Sequence, residues 1–234
     1  MPYRREQFVN NEIYHIILRG LDDNLIFKDV DDYYRGVFSI YEFNNKKPVE
    51  IWLRRHQRQK EKALGGPSSQ TRELLVEILT FCFMPNHFHL LLKQSKEEGI
   101  VKFMRKVGTG YAGYFNRKYN RKGHVFQNRF FSALIKNDEQ LKNVFTYIHT
   151  NPISIIEPNW KERGIKDSGK TFRFLENYKW SSYPDYIRKN NFPSVTEREF
   201  MLKIIGGEEG CKDFIKNWIR YKKEIGKFSS LFLE

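Results

Sequence analysis

Leu74-Leu75-Val76-Glu77-Ile78-Leu79-Thr80-Phe81-Cys82-Phe83-Met84, then Pro85-Asn86, then His87-Phe88-His89-Leu90-Leu91-Leu92-Lys93-Gln94: these residues decide the fold. The first run is apolar nearly throughout and reads as a buried strand. Pro85-Asn86 reads as a tight connection. Residues 87–94 read as a second strand. Two strands joined so briefly should pair antiparallel.

Upstream, residues 12–19 predict a first strand closed by Gly20. Asp29 to about Asn45 predicts a helix: Asp29, Asp31 and Asp32 suit its positive N-terminal end, and Tyr33, Val37, Phe38 and Tyr41 recur at helical spacing. Downstream, 97–119 predicts a long helix with Ile100, Phe103, Met104, Val107, Tyr111, Tyr114 and Phe115 on one stripe. Gly108, Gly110 and Gly113 interrupt it, each at a cost of about 1 kcal/mol against Ala, which points to a bend or the close approach of another backbone. Residues 125–135 contain a fourth strand. Asn137 or Asp138 can cap a helix running to about Thr150, ended by Asn151-Pro152.

The order βαββαβ predicts an α+β fold. Its core is a ferredoxin-like four-stranded antiparallel sheet with helices on one face. Helix-like stretches at about 195–205 and 208–224 add a small C-terminal helical extension. The expected division is 1–165 for the main domain and 166–234 for an extension packed on it. Residues 46–73 differ from their surroundings: Arg54, Arg55, Arg58, Lys60 and Lys62 precede Gly65-Gly66-Pro67-Ser68-Ser69. They read as a flexible basic insertion, opening with a short strand around 49–53.

The chain has 234 residues, with 41 Lys and Arg against 28 Asp and Glu, a net charge of +13. Such an excess in a chain with a real core points to a polyanionic partner, nucleic acid first and an anionic membrane surface second. No run approaches the roughly 20 apolar residues of a membrane span, so no membrane is expected. Cys82 and Cys211 lie far apart, outside any Cys-x-x-Cys spacing; neither a zinc ribbon nor a disulfide framework is expected, and a cytoplasmic location fits.

His87 and His89 are two residues apart on a strand, so both imidazoles project from one face, close enough to share an ion. Phe88, Leu90 and Leu92 project from the other, helix-covered face, which leaves the histidines on an open side. By itself His-x-His does not separate a metal site from a surface coincidence. On the helix that follows the fourth strand, Asn143, Tyr147 and Asn151 are spaced by four and form one stripe. Spacing does not select Tyr147 among thirteen tyrosines. Lys142 points away from this stripe, and so does His149, which reads as structural or surface. The face of His15 is not fixed by the sequence. For electrostatic DNA binding the candidates are Lys102, Arg105, Lys106, Arg117, Lys118, Arg121, Lys122 and Arg129. They are interleaved with Tyr111, Tyr114, Phe115 and Tyr119, of which Tyr111 and Phe115 read as core.

Met84-Pro85-Asn86-His87-Phe88-His89-Leu90-Leu91 together with Tyr147-Ile148-His149-Thr150-Asn151-Pro152 resembles the signature pair of single-tyrosine HUH transposases, most closely the REP-associated tyrosine transposase branch. Tyr114-Phe115-Asn116-Arg117, Gly123-His124-Val125-Phe126-Gln127 and Trp180-Ser181-Ser182-Tyr183 agree with it. The insertion at 46–73 is longer than the family's usual connection. The resemblance implies His87 and His89 as metal ligands, Tyr147 as nucleophile, and Asn151 as the polar residue one turn on that helps complete the metal or substrate site. It implies Mg²⁺ or Mn²⁺, and single-stranded or hairpin DNA cleaved through a 5′-phosphotyrosine and rejoined. It allows either a homodimer that exchanges the tyrosine helix or a chain acting with that helix in place. The alternative is a domesticated protein that holds hairpin nucleic acid without cutting it; a third reading is a metal-dependent nuclease that uses water.

Overall fold

The computed structural model describes residues 7–63, 72–127 and 129–231. Four strands, β1 (Ile13–Arg19), β2 (Val76–Met84), β3 (His87–Gln94) and β4 (Phe131–Leu134), form one sheet in the order β2-β3-β1-β4. Every neighbouring pair is antiparallel. This is the order a βαββαβ chain gives when its two inner strands are β1 and β3. Met84 faces His87 across the Pro85-Asn86 link, so the predicted hairpin forms with the shortest practical turn. β4 is shorter than the predicted 125–135 run, although a lone bridge from Phe126 to Gly20 carries the same edge further.

Helices α1 (Val30–Glu42) and α3 (Gly99–Lys118) cover one face. α1 starts where the Asp29 carboxylate accepts from the Asp32 amide at 3.0 Å, satisfying a donor the helix cannot. Tyr14, Ile16, Leu18, Phe88, Leu90 and Leu92 point into this core to meet Val37, Ile40, Phe103 and Val107. Each such side chain stabilises by roughly 1.5–3 kcal/mol when fully buried. Gly110 has a specific cause: a Cβ there would sit 2.3 Å from the Phe43 ring. The close neighbour is a side chain, not the backbone expected. Gly108 and Gly113 meet almost nothing and border a groove.

The other face is not open. α4 (Asp138–Thr150) lies across it, capped by Asn137, whose side chain accepts from the Gln140 amide at 2.8 Å. Beyond α4 come α5 (Ile153–Ile156), α6 (Trp160–Arg163), α7 (Ser168–Asn177), α8 (Tyr183–Tyr186), α9 (Glu199–Ile205) and α10 (Gly207–Leu231). Their apolar residues join Leu79, Cys82 and Leu91 of the sheet in a second core with Leu141, Phe145 and Ile148 of α4. Trp180-Ser181-Ser182 runs along the outer edge of β2: the Phe83 amide donates to the Trp180 carbonyl at 2.8 Å and the Ser182 amide to the Phe81 carbonyl at 3.0 Å. That pairing closes an edge that would otherwise expose unpaired amides.

The basic insertion is also more ordered than its charge suggests. Ile51–Ala63 is a helix, α2, where a short strand was expected to open a loop. Arg, Gln, Lys, Glu and Ala are good helix formers. Two of its arginines, Arg54 and Arg58, converge on the buried Glu42 carboxylate of α1, at 3.3 and 2.9 Å. The Gly65–Ser69 run lies outside the described residues. Among the described residues no helix is long and apolar enough to cross a membrane.

Candidate active site

Pairing of β1 with β3 sets Arg19 opposite His87, Ile17 opposite His89 and His15 opposite Leu91. Paired residues share a face, so His15, Arg19, His87 and His89 all project toward α4. α4 brings Tyr147 over them: its ring centroid lies 5.5 Å from that of His89 and 5.9 Å from that of His15, edge-on in both cases. The His87 and His89 rings are 4.9 Å apart. One chain thus assembles both histidines and the tyrosine. His15, whose face the sequence left open, is at the centre of the cluster.

The polar atoms of the cluster are nearly all accounted for. His87 Nδ1 lies 2.6 Å from Asn86 Oδ1, and because an amide oxygen only accepts, Nδ1 carries the proton and donates. In the neutral ring this leaves the His87 Nε2 lone pair free. His89 Nδ1 lies 2.9 Å from His15 Nε2. His89 Nε2 is buried with no partner. Burial pushes His15 and His87 down to about 4, and holds His89 well below its ordinary value, with His87 and His15 adding to the effect. All three are therefore neutral at pH 7, the state in which imidazole binds a metal.

These residues suit a divalent ion as an open site: the His87 and His89 rings share one face 4.9 Å apart, each keeps an Nε2 without a partner, and each is oriented through its other nitrogen. Among the described residues no group of three or more His, Cys, Asp or Glu side chains could complete a closed cage. Asn151, the C-cap of α4, turns its Nδ2–H back to donate to the Tyr147 carbonyl at 2.9 Å. It fixes the end of the tyrosine helix.

Two cations missed in the sequence face the cluster. Lys161 of α6 places its ammonium 5.6 Å from the Tyr147 ring centre. Together with Arg19 it also contributes to lowering His87 and His89, after burial. Register with His87 could have flagged Arg19; nothing local points to Lys161. Lys142 lies over the Phe214 ring, away from Tyr147, as expected. His149 is fully buried, its Nε2 2.9 Å from Ser182 Oγ, which ties α4 to the covered edge of β2.

The basic residues chosen for DNA contact divide. Lys118 is engaged internally, 2.7 Å from Asp29 and 2.8 Å from the buried Asp32. Lys106 donates to the carbonyls of Asn45 and Lys47 beyond α1. Both are structural in place of free. Lys102 pairs with Glu98 at the N-cap of α3, and Arg121 lies over the Phe115 ring. Arg117 and Lys122 are exposed. Arg105 and Arg129 border a groove of about 830 Å³ between α3 and residues 123–126 and 129–130, with Asn116 and His124. Leu18 lines it, so it lies on the opposite face of the sheet from Tyr147. Tyr111 and Phe115 are core, as expected; the Tyr114 and Tyr119 hydroxyls donate to Asp32.

Residues 54–151 match the family described as "Transposase IS200 like". The resemblance drawn from the motifs thus has an independent match over those residues. A curated relative, "Putative REP-associated tyrosine transposase" of Haemophilus influenzae, is 28% identical over 87 residues, which is 33% of this chain and 49% of that protein. The match thus spans about half the length of the relative. A solved structure titled "Structure of the REP associates tyrosine transposase bound to a REP hairpin" aligns over 85% of this chain and 96% of its own, at 12% identity and a TM-score of 0.49. A bacterial tRNA(His) guanylyltransferase-like protein in complex with GTP aligns over 69% and 76%, at 10% identity and a TM-score of 0.37.

Proposed function

We propose that the chain is a transposase-type endonuclease and strand transferase for single-stranded or hairpin DNA, with residues 1–165 as the catalytic domain and 166–234 as an extension that buttresses it. The observation that carries this reading is the placement of Tyr147 against two neutral histidines, one with an orphaned Nε2.

A Mg²⁺ or Mn²⁺ ion held by His87 and His89, with Asn151 beside them, would neutralise a non-bridging phosphate oxygen and orient the phosphate for in-line attack. The Tyr147 phenolic oxygen bonds to phosphorus as the bond from phosphorus to O3′ breaks. The phenol releases its proton to solvent, and O3′ leaves as a 3′-hydroxyl after taking one up. The phenol must lose its proton during attack to serve as nucleophile. The Lys161 ammonium supplies positive charge on the outer side of the ring. The bond energy stays in the 5′-phosphotyrosine, so the 3′-hydroxyl of another strand can reverse the step without ATP. Arg105, Arg117, Lys122 and Arg129 would track phosphates of the same DNA around the sheet edge.

The test uses labelled single-stranded oligonucleotides carrying imperfect palindromes from DNA flanking the gene, with Mg²⁺ or Mn²⁺. A covalent protein–oligonucleotide adduct on a denaturing gel is expected, absent in Tyr147→Phe and in His87→Ala with His89→Ala. An adduct that persists in Tyr147→Phe refutes the nucleophile. Cleavage without any adduct points to water as the attacking group. Hairpin binding without cleavage points to a domesticated binder.

A further inference from the structure

His15 and His89 share a single hydrogen bond between two nitrogens, His15 Nε2 and His89 Nδ1, 2.9 Å apart and buried. One proton lies between them, and two arrangements are open. If the proton belongs to His15, neutral His89 must carry its own on Nε2. That nitrogen is buried with no acceptor, so an N–H would be stranded there without a partner. If the proton belongs to His89 Nδ1, His89 donates to His15 and its Nε2 is a bare lone pair. His15 then carries its proton on Nδ1, an atom absent from the buried, unpartnered set, and no donor is stranded. The second arrangement wins on the count of unsatisfied donors.

We propose that His15 is a positioning residue that fixes His89 as the Nδ1–H tautomer and aims its Nε2 lone pair into the site for a divalent cation. Two further observations support it. The His15 and His89 rings are stacked, 18° from parallel with centroids 5.2 Å apart, so His15 restrains the tilt of the ring as well as its proton. His15 also lies edge-on to Tyr147, so one side chain sets the spacing between the proposed ligand and the proposed nucleophile. Asn86 does for His87 what His15 does for His89; both proposed ligands are then held through Nδ1 with Nε2 free.

This inference rests on the metal reading above, and the test separates the two. Binding of Mn²⁺ alone to the full chain, without DNA, is followed by the electron paramagnetic resonance signal of free Mn²⁺. His15→Phe keeps a ring but removes the acceptor, and Mn²⁺ affinity should fall about 10- to 100-fold. His15→Gln restores an acceptor oxygen and should stay within about threefold of wild type, the range expected when the outer hydrogen bond survives. Unaltered Mn²⁺ affinity in His15→Phe overturns the role of His15 while leaving the metal reading intact. A wild-type chain that binds no Mn²⁺ overturns the metal reading and this inference with it. Should His15→Phe fail to fold, nitrogen-15 NMR of wild-type histidines decides the matter: His89 protonated on Nδ1 is expected, and a proton on Nε2 overturns the proposal.

Discussion

Acid should loosen this protein through His149, one turn-mate of the proposed nucleophile. His149 is only 1% exposed, packed against Phe145 with ring centroids 4.3 Å apart, and bound to Ser182. Burial lowers it from 6.5 to about 3. The neutral ring belongs to the folded state, so its contribution is whole above pH 6.5 and is lost as pH falls toward 3. Between those limits each pH unit costs about 1.4 kcal/mol, because the unfolded chain takes up a proton that the folded chain refuses. From pH 7.5 to 5 the loss is about 2 kcal/mol, a large part of a typical margin of 5–15 kcal/mol. The perturbation is His149→Gln, which can still reach Ser182 and does not titrate. Urea melts of both proteins, followed by tryptophan fluorescence, give stability against pH. His15, His87 and His89 contribute their own acid sensitivity to both proteins and largely cancel in the difference. The expected result is a wild-type loss about 2 kcal/mol greater than that of the variant between pH 7.5 and 5. Parallel profiles would refute the assignment of His149 as a neutral strut on the buried side of α4.

Lys161→Met should slow adduct formation about two- to fivefold, since an exposed cation near the Tyr147 ring offsets only part of the negative charge that develops at the phenolic oxygen during attack. An unchanged rate removes Lys161 from activation of Tyr147. Lys118→Met should destabilise by about 3 kcal/mol, since it leaves the buried Asp32 carboxylate short of its cation; Arg105→Ala should leave stability unchanged and reduce the salt dependence of hairpin binding by about one phosphate contact. A Lys118→Met chain of normal melting temperature would refute the division between structural and DNA-facing cations.

What was legible followed from period and punctuation. Pro85-Asn86 between two apolar runs gave the hairpin, and the spacing of two along β3 put His87 and His89 on one face. The same alternation did not work for β1. Ile13, Ile16, Ile17 and Leu18 are apolar on both sides of the strand, so nothing in Ile-Tyr-His-Ile-Ile-Leu distinguishes the face that His15 takes. Only pairing of Ile17 with His89, a long-range fact, assigns it. The open face was a misreading with a visible cause. Leu79, Cys82 and Leu91 are as apolar as the residues on the α1 and α3 side, and a strand apolar on both faces belongs to a sheet covered on both faces. That cover has a chemical consequence. Without α4 and the helices behind it, His15 and His89 would meet water, their shared proton would have competing partners, and the orphaned Nε2 would be solvated. The second layer that the sequence pattern obscured is thus what turns a pair of strand histidines into neutral, oriented ligand candidates with a tyrosine held edge-on above them.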